Sequence, residues 1–147
     1  MQLTKAADYA ARIMVRMAER PLGYRFTGVE LASHNDAPEA FLSKILQTLA
    51  RAGLIKSRRG VTGGYSLAIS AENITLLDVV EAMEGPIGLN ACTGLKGSCE
   101  RENWCQMHEV WLRAQEALVD VLRSESIASL AARPKAVHPE CGDVLWR

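Results

Sequence analysis

The stretch TGVELASHNDAPEAFLSKILQTLARAGLIKSRRGVTGGYSLAI, residues 27–69, decides the fold. Thr27 is a helix N-cap with Glu30 at the capping-box position, so a short helix opens here. His34-Asn-Asp-Ala is a polar turn, and Pro38 suits the first residue of a longer helix that runs to Arg51 and stops at Gly53. Phe41, Leu42, Ile45, Leu46 and Leu49 form the inward face of that helix. Ala40, Ser43, Lys44, Gln47 and Arg51 lie opposite, small and polar with two positive charges. A short helix, a tight turn and a longer helix with such a face make a helix-turn-helix, whose second helix can enter a major groove. Leu54–Ser57 and Tyr65–Ile69 then alternate as strands around Arg58-Arg-Gly-Val-Thr-Gly-Gly64, a hairpin with arginines and glycines at its tip. Directly after a helix-turn-helix, that hairpin reads as a wing. Arginine at its tip suits the negative potential of a narrow minor groove, and glycine lets backbone approach phosphate.

The remaining elements are helical. Thr4 caps a first helix on which Ala10, Ile13, Met14, Met17 and Ala18 recur at helical spacing up to Arg20-Pro21. A further helix begins after Thr75, with Asp78 at its capping-box position, and stops at Gly85-Pro86. The longest helix is expected from Gln106 to Ser124, where Met107, Trp111, Ala114, Leu118 and Val121 form a short heptad seam. The seam suits pairing with the same helix of a second chain or packing on its own domain. Ser126–Ala132 is a last short helix, and the two-proline tail beyond it, with Cys141, is expected to be extended or disordered. The organisation is therefore mainly α with a small β-hairpin wing: a winged helix-turn-helix at 1–85, a cysteine loop at 86–105, a dimerisation helix and short C-terminal helix at 106–132, and a flexible tail at 133–147.

At 147 residues, 48% hydrophobic and 23% charged, the chain can build one compact core with an arm to spare. No apolar run is long enough to span a bilayer and Met-Gln-Leu-Thr-Lys lacks a signal-peptide pattern, so the expected location is cytoplasmic. The net charge of zero hides an asymmetry: residues 1–64 carry +5 and residues 65–147 carry −5. A basic half of this kind suits a polyanion.

Three of the four cysteines crowd into Cys92-Thr-Gly-Leu-Lys-Gly-Ser-Cys99-Glu-Arg-Glu-Asn-Trp-Cys105-Gln-Met-His108. In a reducing compartment such clusters are metal ligands or redox groups rather than disulfides. The spacing lacks the Cys-x2-Cys knuckle of structural zinc, while wide arcs between thiolates suit the larger iron-sulfur cluster. His108, one helical turn past Cys105, can share that site. A Cys3His zinc ion and unrelated free thiols are the other readings. No nucleophile-base pair, phosphate-cradling loop or paired acids point to an enzyme.

The order Leu3-Thr-Lys, Asp8-Tyr-Ala, Phe41-Leu-Ser-Lys-Ile-Leu, Ala52-Gly-Leu-Ile, Arg59-Gly-x-x-Gly-Gly-Tyr65, Leu77-Asp-Val-Val-Glu-Ala and the three-cysteine loop resembles the Rrf-two family of bacterial winged-helix regulators, over roughly residues 1–132. The resemblance implies a homodimeric transcriptional regulator, a repressor, that binds a palindromic double-stranded DNA operator. It implies an iron-sulfur cluster that senses iron, redox state or nitric oxide, on Cys92, Cys99 and Cys105. IscR-like members add a histidine at the position of His108 and hold a 2Fe-2S cluster. NsrR-like members use an acid of the partner's first helix, matched here by Asp8, and hold 4Fe-4S. The helix continuing as His108-Glu-Val-Trp favours His108 and 2Fe-2S. Ser43, Lys44 and Gln47 are expected to face bases, Arg58 and Arg59 to enter the minor groove, and Lys5, Tyr9 and Thr27 to touch phosphates. A winged-helix protein with structural zinc and a small electron carrier are the alternatives.

Overall fold

The computed structural model describes residues 3–33, 39–94 and 99–134. Its elements are α1 (Lys5–Ala18), α2 (Gly28–Ser33), α3 (Glu39–Arg51), β1 (Ile55–Arg58), β2 (Gly64–Leu67), α4 (Leu76–Glu84), α5 (His108–Ser124) and α6 (Ile127–Ala132), with short 3-10 turns at Ala71–Asn73 and Ala91–Thr93. The turn read at His34–Ala37, the start at Pro38 and the tail with Cys141 lie outside the described residues. No described helix is long and apolar enough to cross a membrane.

Caps set where these helices begin. The Thr4 hydroxyl accepts from the Ala7 amide at 3.3 Å and opens α1. Thr27 and Glu30 exchange bonds across the start of α2, 3.1 Å from the Glu30 amide to the Thr27 hydroxyl and 2.6 Å from the Thr27 amide to the carboxylate. The backbone N–H of Thr27, and after it the hydroxyl, hold the Glu30 carboxyl below its ordinary pKa. That contribution is present at neutral pH and fades as the pH falls through this lowered value. Thr75 and Asp78 repeat the arrangement on α4, at 3.1 Å and 2.8 Å. Thr75→Ala should therefore cost about 1 kcal/mol, read from the shift of a urea unfolding midpoint.

The main core gathers Ile13, Met14 and Met17 of α1, Phe26, Leu31 of α2, Leu42, Ile45, Leu46 and Leu49 of α3, Ile55 and Leu67 of the hairpin, Val79 of α4 and Ile127 of α6. Helix α4 is buried on two sides, because Leu77 and Val80 turn the other way to meet Ile87 and Leu122 in a second cluster. Those apolar contacts seat α5 on the winged unit. Two backbone bonds reinforce them: the Leu76 amide donates to the Glu125 carbonyl and the Ile127 amide to the Ile74 carbonyl, both at 2.8 Å. Helix α6 consequently packs back onto α1.

The strands and α5 differ from the sequence expectation. The antiparallel pairing runs from Ile55↔Leu67 to Arg58↔Gly64, so β1 starts and ends one residue later than the expected Leu54–Ser57, while β2 starts one residue before the expected Tyr65 and ends two before Ile69. Leu54 and Ile55 are both buried, which blurs the alternation that marks a strand's start. Helix α5 begins at His108 rather than Gln106, and Met107 offers it no side-chain cap. Cys105 thus lies outside the helix, joined to His108 by a turn bond from the His108 amide to the Cys105 carbonyl at 3.1 Å.

Candidate DNA interface and cysteine site

Burying Leu42, Ile45, Leu46 and Leu49 forces the opposite face of α3 outward, and Ala40, Ser43, Lys44, Gln47 and Arg51 are all exposed. The hairpin stands beside this face. A cleft of about 480 Å³ between them is lined by Gln47 and Arg51 of α3 and by Ser57, Arg58, Arg59 and Tyr65 of the hairpin. The structure thus brings Gln47, Arg58 and Arg59 together on one basic surface. Arg58 and Arg59 are exposed, and neither forms an ion pair among the described residues.

The wing is anchored by contacts that no local pattern announces. Phe26 pairs with Tyr65 as an isolated antiparallel bridge, each amide donating to the other's carbonyl at 2.8 Å, so the segment before α2 acts as a one-residue third strand. The Arg25 guanidinium donates to the Thr62 carbonyl at 3.0 Å and braces the tip from beneath. Arg25, Arg51, Ser57 and Tyr65 were not among the DNA contacts expected from sequence. Arg51 carried a usable signal, since it lies on the polar face of α3.

The residues read as phosphate contacts sit differently from one another. Lys5 is exposed on the first turn of α1. The half-buried Tyr9 ring meets Phe41 edge-on at 5.7 Å, which ties α1 to α3. The Thr27 hydroxyl is occupied by the α2 cap, donating to the Glu30 carboxylate at 2.9 Å.

Cys92 lies on the 3-10 turn Ala91–Thr93, Cys99 and Cys105 lie outside helices, and all three are half-buried free thiols. His108 heads α5 with its Nδ1 buried and without a hydrogen-bond partner among the described residues. Asp8 is exposed on α1 and pairs with Arg12 at 3.0 Å. Among the described residues no three His, Cys, Asp or Glu side chains are gathered closely enough to hold a metal ion. In kind, however, the donors fit a soft metal centre: three thiols, plus one ring nitrogen whose burial without a partner is costly until something satisfies it.

A family model described as Rrf2, iron-dependent transcriptional regulator, matches residues 3–133. The protein aau3 of Rhizobium meliloti is 35% identical across 92% of this chain and 88% of its own. The solved structure of CymR, the global cysteine regulator of Bacillus subtilis, is 28% identical and covers 89% of this chain and 96% of its own, with a TM-score of 0.72. The oxidised form of Staphylococcus aureus CymR superposes with a TM-score of 0.73 at 25% identity, over 91% of this chain and 98% of its own. The matched regulators are not enzymes, and their winged-helix architecture is the one described above. With the family model spanning nearly the whole chain, this protein belongs to the Rrf2 family of DNA-binding transcriptional regulators.

Proposed function

We propose that the protein is an iron-sulfur-dependent repressor, with Cys92, Cys99, Cys105 and His108 as cluster ligands. The observation that carries this reading is the buried His108 Nδ1 without a partner, set one turn beyond Cys105. An iron-sulfur cluster supplies sensitivity to iron supply, redox state or nitric oxide when it is bound. The single histidine favours a 2Fe-2S over a 4Fe-4S cluster, and Asp8 of the partner subunit is the alternative fourth ligand. Asp8 is an exposed carboxylate, and its own-chain ion pair with the equally exposed Arg12 is a weak competitor.

On the DNA side, Ser43, Lys44 and Gln47 read bases in the major groove and Arg58 and Arg59 enter the minor groove. Lys5 and Tyr9 fix the register on phosphates, with Thr27 adding a contact through whatever its cap leaves free. A homodimer on a palindromic operator is supported by α5, where Met107, Val110, Trp111 and Val121 are exposed along one side of the helix. Two recognition helices must then match half-sites about one DNA turn apart.

Anaerobic absorbance and electron paramagnetic resonance of the purified protein test the ligand set. His108→Ala should change the spectrum and speed cluster loss, while Asp8→Ala should leave both as in wild type. A spectrum altered by Asp8→Ala alone moves the fourth ligand to the partner subunit. Colourless protein with stoichiometric zinc and no acid-labile sulfide overturns the cluster. A second reading, regulation by the thiols themselves, is favoured by the absence of a preassembled ligand group among the described residues and by likeness to a regulator solved in an oxidised form. It requires the as-purified protein to be free of both iron and sulfide and to change its DNA affinity on thiol oxidation.

A further inference from the structure

We infer that Gln115 is a positioning residue: it locks the turn that carries Cys92 onto α5, so that this turn and His108 share one face of the helix before any metal binds. The link to a metal rests on the ligand set proposed above; the lock itself does not.

The Gln115 side chain bonds both ends of the turn. Its Oε1 accepts from the Leu89 amide and its Nε2 donates to the Thr93 carbonyl, each at 3.1 Å. Leu89 can only donate through that amide and Thr93 can only accept through that carbonyl, so the amide's orientation is dictated by its partners. Among side chains of this length, only glutamine offers a neutral acceptor and donor on one planar group. Cys92 sits between the two residues that Gln115 holds. Gln115 is half-buried and Thr93 is buried, so these bonds have little competition from water.

The turn is itself rigid. The Asn90 amide donates to the Thr93 hydroxyl at 3.1 Å, and the Thr93 and Gly94 amides return to the Asn90 carbonyl at 3.0 Å and 3.1 Å. Gly88 and Gly94 approach so closely that a Cβ on Gly88 would lie 3.0 Å from the Gly94 Cα. With the Asn90 amide oriented so that its oxygen faces Trp111, the indole N–H donates to it at 3.3 Å, a second tie to the same helix. His108, Trp111 and Gln115 are spaced three and four apart, which is one stripe of an α-helix. Helix α5 therefore presents a ligand candidate at one end of a stripe and the anchors of the Cys92 turn further along it. By contrast, the backbone bonds around Cys99 and Cys105 are local, from Glu102 to Cys99 at 3.2 Å and from Cys105 to Arg101 at 2.9 Å. Cys92 is thus carried on a turn that a side chain of α5 ties in place.

The test uses the full-length, metal-free protein with Gln115→Met, which keeps the shape and removes both bonds, and Gln115→Glu, which keeps an acceptor for Leu89. Leu89 amide exchange by nuclear magnetic resonance should quicken about tenfold or more in Gln115→Met and stay within about threefold of wild type in Gln115→Glu. In the same Gln115→Met sample, alkylation by iodoacetamide should speed several-fold at Cys92 relative to Cys105. Wild-type exchange at Leu89 together with an unchanged Cys92 to Cys105 ratio overturns the proposal. So does a rise in exchange along the whole of α5, which would mean that the helix and not the lock depends on Gln115. Because no metal enters either measurement, a protein that never binds a cluster can still pass both, and a cluster protein can fail both.

Discussion

Gly64→Ala should destabilise the protein by roughly 2–5 kcal/mol and lower its thermal midpoint by on the order of 10 °C. Gly64 has φ +141°, in backbone territory that L-residues rarely enter, and an added Cβ would lie 2.6 Å from the Phe26 carbonyl oxygen. That carbonyl accepts the Tyr65 amide, so it cannot retreat without breaking the bridge between the segment before α2 and the wing. The neighbouring Gly63 is barred for a different reason, since its Cβ would collide with the Arg58 carbonyl inside the hairpin. Gly53→Ala is the control. It also has positive φ, at +77°, but its Cβ would meet nothing within 4 Å, so the cost should be about 1 kcal/mol. Thermal unfolding followed by circular dichroism separates the two. Equal losses for Gly64→Ala and Gly53→Ala would mean that the Phe26 bridge yields without cost and does not anchor the wing.

The same bridge shows why some of this molecule is legible in sequence and some is not. Caps are local and chemical, so Thr4, Thr27 with Glu30, and Thr75 with Asp78 could be read directly, and each does cap its helix. The periodicity of α3 correctly separated buried Leu42, Ile45, Leu46 and Leu49 from exposed Ser43, Lys44 and Gln47. Phe26 pairing with Tyr65 involves one residue, and a one-residue strand has no period to detect. The Arg25 brace to Thr62 spans 37 positions and the Gln115 bond to Leu89 spans 26, distances across which single side chains leave no pattern. Ile127 is fully buried in the main core although the sequence marks the segment that bears it only as a last short helix. Its place follows from the backbone bonds between Ile74 and Ile127 and between Leu76 and Glu125, which only the tertiary fold creates. The ligand site is less legible still. Residue types and spacing nominate Cys92, Cys99, Cys105 and His108, but spacing says nothing of which ones the fold holds in place.

Replacing Arg58 and Arg59 together by alanine should weaken DNA binding by on the order of 30- to 1000-fold, about 2–4 kcal/mol for the pair. Both side chains are exposed at the end of a hairpin whose tip Arg25 braces, so they are presented without a competing carboxylate among the described residues. Such arginines gain little from folding, and their removal should leave the thermal midpoint within a few degrees. What they offer is charge in a groove where potential is concentrated, and each cation that displaces condensed counterions adds about one unit to the salt dependence. The plot of log affinity against log salt should therefore flatten by about two units in the double variant. Ser43→Ala and Gln47→Ala carry no charge change, and their effect should appear as loss of discrimination between DNA fragments with the slope retained. Arg123→Ala serves as the charge control: it sits on α5 paired with Asp120 at 2.9 Å, away from the cleft, and should alter affinity less than twofold. Fluorescence anisotropy across a salt series, on genomic fragments selected by the wild type, reads the four variants beside the wild type. A double variant whose affinity and slope match wild type would remove the wing from the interface and leave α3 to bind alone. Comparable losses from Arg123→Ala would mean that the measured binding is general polyanion attraction. Only the separation of the two outcomes, slope lost at the wing and selectivity lost at α3, fits a helix reading bases while a braced hairpin grips the neighbouring groove.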